Sequence, residues 1–156
     1  MSRSRFFKTG VEYLRILTRE SKTFDSVGKK LEMETFTKGQ CICRMVVGQE
    51  DTNKYGTLHG GLTASLIDIV TTMAIIGATG KPGVSTDIGV SYLSAAKVGQ
   101  EIMVDAKCTK IGKSLVFTTA DITLADGSPV AQGKHTKYFI PGMPVIFPTD
   151  LLEDES

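Results

Sequence analysis

Residues 62–78 read Leu62-Thr63-Ala64-Ser65-Leu66-Ile67-Asp68-Ile69-Val70-Thr71-Thr72-Met73-Ala74-Ile75-Ile76-Gly77-Ala78, with one charge and no proline. The run is too long for one strand and does not alternate, so it predicts a helix. Its apolar residues cover nearly the whole circumference. Such a helix is enclosed by other protein or inserted in a bilayer. The run sits at the lower limit of about 17–25 residues for a span. Asp68 lies mid-way along it, and no other segment looks like a membrane segment. A transmembrane helix is therefore not expected, and the run needs a protein wrapper.

The flanking sequence supplies one. Residues 29–36 and 40–48 read as strands about a turn at Lys38-Gly39. Residues 84–93 alternate, with Ser85, Asp87, Gly89 and Ser91 on one side and Ile88, Val90 and Tyr92 on the other. Residues 101–111 alternate too. Residues 114–124 follow a turn at Gly112-Lys113, and 129–140 follow Asp126-Gly127, a strong hairpin signal. Short links imply antiparallel pairing. The expected class is α+β: a curved antiparallel sheet wrapped around one long central helix, the hotdog fold. An extra helix near 9–24 precedes it. The divisions expected are an amphipathic helical segment 1–28, the hotdog domain 29–140 and a Pro-containing acidic tail 141–156.

At 156 residues the chain suits one domain with a real core. A net charge of +1 argues against a nucleic-acid partner. Four acids (Asp150, Glu153, Asp154, Glu155) crowd the last seven residues, which read as a solvated tail. Cys41, Cys43 and Cys108 form no metal-binding spacing and read as reduced thiols of a cytoplasmic or mitochondrial protein. Residues 1–22 are basic and amphipathic. They fit a packed helix or a mitochondrial presequence, with Glu12 and Glu20 against the latter.

Asp68 is the first candidate for chemistry. A carboxylate among apolar neighbours is paired or functional. Gly61, Ser65, Asp68 and Thr72 share one helical stripe of small or polar residues that could line a channel. Ahead of the helix stands Asn53-Lys54-Tyr55-Gly56-Thr57-Leu58-His59-Gly60-Gly61. Its glycines let a ligand approach the first-turn amides, which favour a developing oxyanion. Gly60 and Asp68 are eight residues apart, about 12 Å along the axis. If both act on one substrate they come from different subunits, so the spacing predicts a homodimer with shared sites. His59 fits a loop-orienting role or direct substrate contact. His135 reads as a sheet-face residue. Lys97, Lys110, Lys113, Lys134 and Lys137 read as solvated charges near strand ends that together could meet phosphates. No GxSxG elbow, P-loop or Rossmann glycine pattern is present.

The run from Thr52 to Asp68 resembles the signature of the PaaI-like hotdog acyl-CoA thioesterases. Further matches are Pro82 to Asp87, Tyr92 to Lys97, Gly112 to Leu115 and Ala131 to Lys137. The resemblance implies hydrolysis of medium- to long-chain fatty acyl-CoA by a dimer of dimers. No cofactor or metal is implied, because coenzyme A arrives as part of the substrate. By resemblance, Asn53 and Gly60 hold and polarise the thioester carbonyl, Asp68 and Ser85 of the facing subunit activate water, and His59 supports the loop. Coenzyme A contacts are implied at Asp87, at Tyr92, Leu93, Ser94, Ala95, Ala96 and Lys97, at the turn Lys110-Ile111-Gly112-Lys113-Ser114-Leu115, and at Tyr138. Ala95 stands where the family often has proline. Two other readings stay open: a hotdog acyl-CoA dehydratase and a non-catalytic acyl-CoA-binding module.

Overall fold

The structure, a computed structural model, describes residues 2–153. The apolar run becomes helix α2, Gly60–Thr79. Leu66, Ile67, Val70, Met73, Ile75 and Ile76 lose all contact with water. The helix ends at Gly80, which takes the left-handed conformation (φ 77°) and donates its N–H to the Ile76 carbonyl at 2.8 Å.

Six strands enclose α2: β1 Glu32–Thr37, β2 Gln40–Val46, β3 Val84–Tyr92, β4 Glu101–Ile111, β5 Leu115–Leu124 and β6 Pro129–Tyr138. All neighbours are antiparallel, in the order β1-β2-β4-β5-β6-β3. Inward residues such as Cys41, Cys43, Val104, Ala106, Ala120 and Ile122 form the core with α2. Cys41, Cys43 and Cys108 are free thiols. Gly133 on β6 allows the closest approach of sheet to helix. A Cβ there would lie 2.9 Å from two methyl carbons of Ile67. The expected α+β hotdog architecture is what forms.

Three expectations need correction. Strand β3 carries a bulge between Ser85 and Asp87. The extra residue reverses the alternation beyond it. Ser85 therefore faces inward with Ile88, Val90 and Tyr92, not outward with Asp87. The N-terminal helix α1 spans Arg5–Arg15 and continues as a wider turn over Ile16–Glu20, earlier than 9–24. Its start is set by Ser4, whose Oγ accepts the Phe7 N–H at 3.1 Å. The acidic end is not wholly solvated: Leu151 is buried while Asp150 and Glu153 are exposed, and the segment ahead of it is packed. Phe147 is buried against Phe6 (5.1 Å between ring centres) and Phe36 (5.8 Å), and the Ile146 N–H bonds the Gly80 carbonyl at 2.8 Å. Helix α3, Thr149–Glu153, follows, with Asp150 paired to Arg5 at 2.6 Å. The acids dominated the charge pattern, but the apolar residues between the prolines decide the packing. The remaining acids, Asp154 and Glu155, lie outside the described residues.

Phe147→Ala should cost about 3 kcal/mol, the low end for emptying an aromatic site. Thermal unfolding followed by circular dichroism should show a midpoint roughly 6–12 °C lower.

Candidate active site

The chemistry-bearing residues fall into two groups at opposite ends of the chain's exposed stripe. The first group surrounds the start of α2. Asp51 is buried, pairs with Lys30, and accepts the Gly48 N–H at 2.8 Å. Its carbonyl accepts the His59 N–H at 2.9 Å, which fixes where the following loop ends. Within that loop the Asn53 Oδ1 accepts from Tyr55 N–H (2.9 Å) and Thr57 N–H (3.3 Å), and Nδ2 donates to Thr57 Oγ1 (3.0 Å). An amide nitrogen carries two protons, so one remains to donate outward.

His59 is the N-cap of α2. Its Nδ1 accepts the Gly61 N–H at 2.9 Å, and its carbonyl accepts the Thr63 N–H at 2.9 Å. Of the two expectations for His59, the geometry favours the orienting one. Among the described residues nothing accepts from the Gly60 N–H, which stays free at the positive end of the helix. Tyr92 reaches this place from the end of β3 and donates its hydroxyl to the Gly60 carbonyl at 2.7 Å. The segment after Tyr92 runs alongside, with the Leu58 N–H bonded to the Ala96 carbonyl at 2.8 Å and Thr57 bridged to Lys97. Leu93, Ser94, Ala95 and Lys97 are exposed there. Ala96 is buried between them.

The second group lies two turns on. Asp68 was expected on a stripe that could line a channel. In the single chain its side chain is 51% exposed, because α2 leaves this stripe uncovered by sheet. Beneath it lies His135, on the inner face of β6 and 1% exposed. Its Nε2 lies 2.8 Å from Ser85 Oγ and its Nδ1 2.7 Å from Thr71 Oγ1; Nδ1 is 4.0 Å from Asp68 Oδ1. Thr71 spends its one hydroxyl proton on the carbonyls of Ile67 (2.7 Å) and Asp68 (3.1 Å). It must therefore accept from His135, which puts the proton on Nδ1. Nε2 is then a lone pair and takes the Ser85 hydroxyl proton. Ser85 is left as an acceptor, like the carboxylate near it. Burial, chiefly, pushes the His135 pKa down; Asp68 opposes this and the Lys137 charge reinforces it.

Lys137 is not at the rim with the other lysines. It is 6% exposed on the same inner face as His135, and its Nζ donates to Thr72 Oγ1 at 2.8 Å. Thr72 in turn donates to Asp68 Oδ1 at 3.4 Å. Reading the sequence missed His135 and Lys137 as members of a site. The available signal was parity: residues 133, 135 and 137 all fall on the helix-facing side of one strand.

Leu115 pairs with Tyr138, and Tyr138 with Val84, so the turn from Lys110 through Ile111, Gly112, Lys113 and Ser114 joins the second group. Asp87 sits on the outer face of β3. Tyr92 lies eight residues along that strand from Val84, about 26 Å away at the strand rise. Gly60 and Asp68 stand in one unbroken helix, about 12 Å apart along its axis. One chain thus holds the two groups of candidate residues apart.

The Thioesterase superfamily profile matches residues 55–131, which hold Gly60, Asp68, Ser85 and Tyr92. Human acyl-coenzyme A thioesterase 13 is 43% identical over 129 residues, covering 81% of this chain and 91% of that protein. The chain belongs to the thioesterase superfamily. It is accordingly a thioester hydrolase. The crystal structure of zebra fish thioesterase superfamily member 2 superposes with a TM-score of 0.83 at 41% identity, covering 86% of this chain and 99% of that one. The structure of smu.793 from Streptococcus mutans, bound to acetyl CoA, gives a TM-score of 0.69 at 26% identity, covering 77% and 93%.

The low His135 pKa has a consequence for stability in this thioesterase. The unfolded chain binds a proton at an ordinary histidine near pH 6.5, whereas the folded chain resists it. Stability should fall as pH drops below about 6.5. Unfolding midpoints measured from about pH 5 to about 7.5 should show this slope, and His135→Gln should flatten it.

Proposed function

We propose that the chain hydrolyses medium- to long-chain fatty acyl-CoA to free acid and coenzyme A, in a homodimer whose two sites are each built from both subunits. The observation that carries the reading is the separation of the half-sites. A free amide and the Asn53 donor stand at one end of the exposed stripe of α2; Asp68 and Ser85 stand at the other. Strand β3 lies at the edge of the sheet, with Val84, Ile88 and Tyr92 exposed along it. A two-fold axis across that edge would run two β3 strands antiparallel. The Tyr92 end of one chain would then lie beside the Ser85 end of its partner. The coenzyme A contacts expected at Tyr92 to Lys97 and at Lys110 to Leu115 with Tyr138 would likewise meet across the seam. A further pairing of dimers fits the apolar outer positions Leu115 and Phe117 on β5. The acetyl CoA bound by the S. mutans relative supports the substrate class.

In the proposed reaction the Gly60 N–H and the Asn53 amide polarise the thioester carbonyl. One such donor is worth about 10²–10³ in rate. A water donates its two hydrogens to Ser85 Oγ and to the Asp68 carboxylate of the facing subunit. That leaves an oxygen lone pair aimed at the carbonyl carbon. Asp68 takes the proton as the carbon–oxygen bond forms, and returns it to the departing thiolate as the carbon–sulfur bond breaks. The chemistry uses only side chains, one backbone amide and water. The histidines support hydrolysis over dehydration. With its Nδ1 lone pair taken by the Gly61 amide, His59 carries its proton on Nε2 and has no lone pair left to act as a base on a hydroxyacyl chain, and His135 is buried.

Asp68→Asn should lower thiol release from palmitoyl-CoA by at least about 10²-fold without dissociating the oligomer. Near-normal turnover would remove Asp68 from the mechanism. Shared sites can be tested by mixing. Proline is accepted at the first helical position and has no N–H, so Gly60→Pro deletes the amide without breaking α2. Neither Gly60→Pro nor Asp68→Asn chains should turn over alone. After subunit exchange a mixed dimer should regain activity at one of its two sites, and inactivity of verified mixed dimers would count against sharing.

A further inference from the structure

The inner face of β6 is an unusual surface to lay against an apolar helix. Its successive inward residues are Gly133, His135 and Lys137. His135 belongs to the arrangement around Ser85. Lys137 is the cross-strand partner of Ser85, but its ammonium bonds neither the Ser85 hydroxyl nor the His135 ring. Among the described residues no carboxylate comes within 4 Å of its Nζ. A buried ammonium without a counter-ion in contact is costly to keep. Burial pushes its pKa down, and the more distant charges of Asp68 and Asp25 hold it up.

The hydroxyls of α2 indicate what Lys137 does. Thr63, Ser65, Thr71 and Thr79 each donate to the main-chain carbonyl four residues back, at 2.7–3.1 Å. This is the usual resting place of a hydroxyl within a helix. Thr72 departs from it. Its hydroxyl receives the Lys137 Nζ at 2.8 Å and donates to the side-chain carboxylate of Asp68, four residues back, in place of the main-chain carbonyl. An ammonium can only donate, so it occupies a lone pair of Thr72 Oγ1 and fixes how the hydroxyl is turned. We propose that Lys137 is a positioning residue: through Thr72 it holds one carboxylate oxygen of Asp68, leaving the other directed at the substrate water. The inference rests on the hydrolytic reading of Asp68 given above. Holding a base in the productive orientation acts on the chemical step, not on ground-state binding.

The test is steady-state thiol release from palmitoyl-CoA by the full chain. Thr72→Val keeps the shape of the side chain and removes its hydroxyl; Lys137→Met removes the charge and keeps the length. Each should lower kcat by roughly 10-fold, the scale of one charge-assisted hydrogen bond, with KM nearly unchanged. Thr72→Ser should restore kcat. The double variant should fall no further than the lower single variant, because both act through one chain of contacts. If Thr72→Val, folded and oligomeric, keeps the parent kcat, the inference is overturned, whatever happens to Lys137→Met. Losses that multiply in the double variant, or that appear in KM alone, also overturn it. Asp68→Asn separates the two claims: if it is inactive while Thr72→Val is normal, the base survives and only its support by Lys137 fails. If Asp68→Asn is active, the underlying reading fails first.

Discussion

A twenty-residue helix that is apolar round most of its circumference has to be enclosed, and the sheet leaves only its small and polar stripe open. All six strands meet α2, β2 and β4 most closely, and bury Leu66, Ile67, Val70 and Met73. Burying each such side chain contributes about 1.5–3 kcal/mol. The enclosure stops at β3, the last strand, and a strip of helix carrying Gly61, Ser65 and Asp68 faces outward. The functional residues sit where the wrapping ends. The core is continuous with this strip, so each polar group beneath it is buried and must find a partner. Among the described residues every buried side-chain polar atom has one.

The helix, the strand order of the hairpins and the lone acid were legible because each is a local pattern. Periodicity revealed α2, and glycine turns marked β4 to β6. The separation of Gly60 from Asp68 was legible from spacing alone, since eight residues of helix have a fixed length. What stayed hidden depended on contacts between distant segments. The bulge at Thr86 turns Ser85 inward, and nothing in Val84-Ser85-Thr86-Asp87 signals it. Lys137 looks like any strand-end lysine until Thr72, sixty-five residues earlier, is seen to receive it. The tail carries more charge than its packing suggests, because Phe147 alone finds an aromatic cluster built from both ends of the chain.

Around Asp68 the structure divides labour between adjacent helix positions. Thr71 engages His135, which sets a ring tautomer and so the direction of Ser85. Thr72 engages Lys137, which sets the direction of the carboxylate. Two consecutive threonines on a helix match two alternate residues on a strand. Neither hydroxyl contacts the reacting atoms, yet each governs a group proposed to do so.

The two borders of the sheet differ. Border strand β1 is bent by a bulge between Met33 and Thr35, and Glu32 and Glu34 are drawn aside to Arg44. The β3 border has a bulge near its start but offers a nine-residue strand with Val84, Ile88 and Tyr92 on view and, among the described residues, no arginine drawn across it. A sheet open on both sides invites endless addition. One open on a single side does not: once two such borders close on each other, only blunted ones remain. If the β3 borders pair as proposed, growth through the sheet stops at two chains, and the asymmetry that leaves β3 bare also guards against a filament.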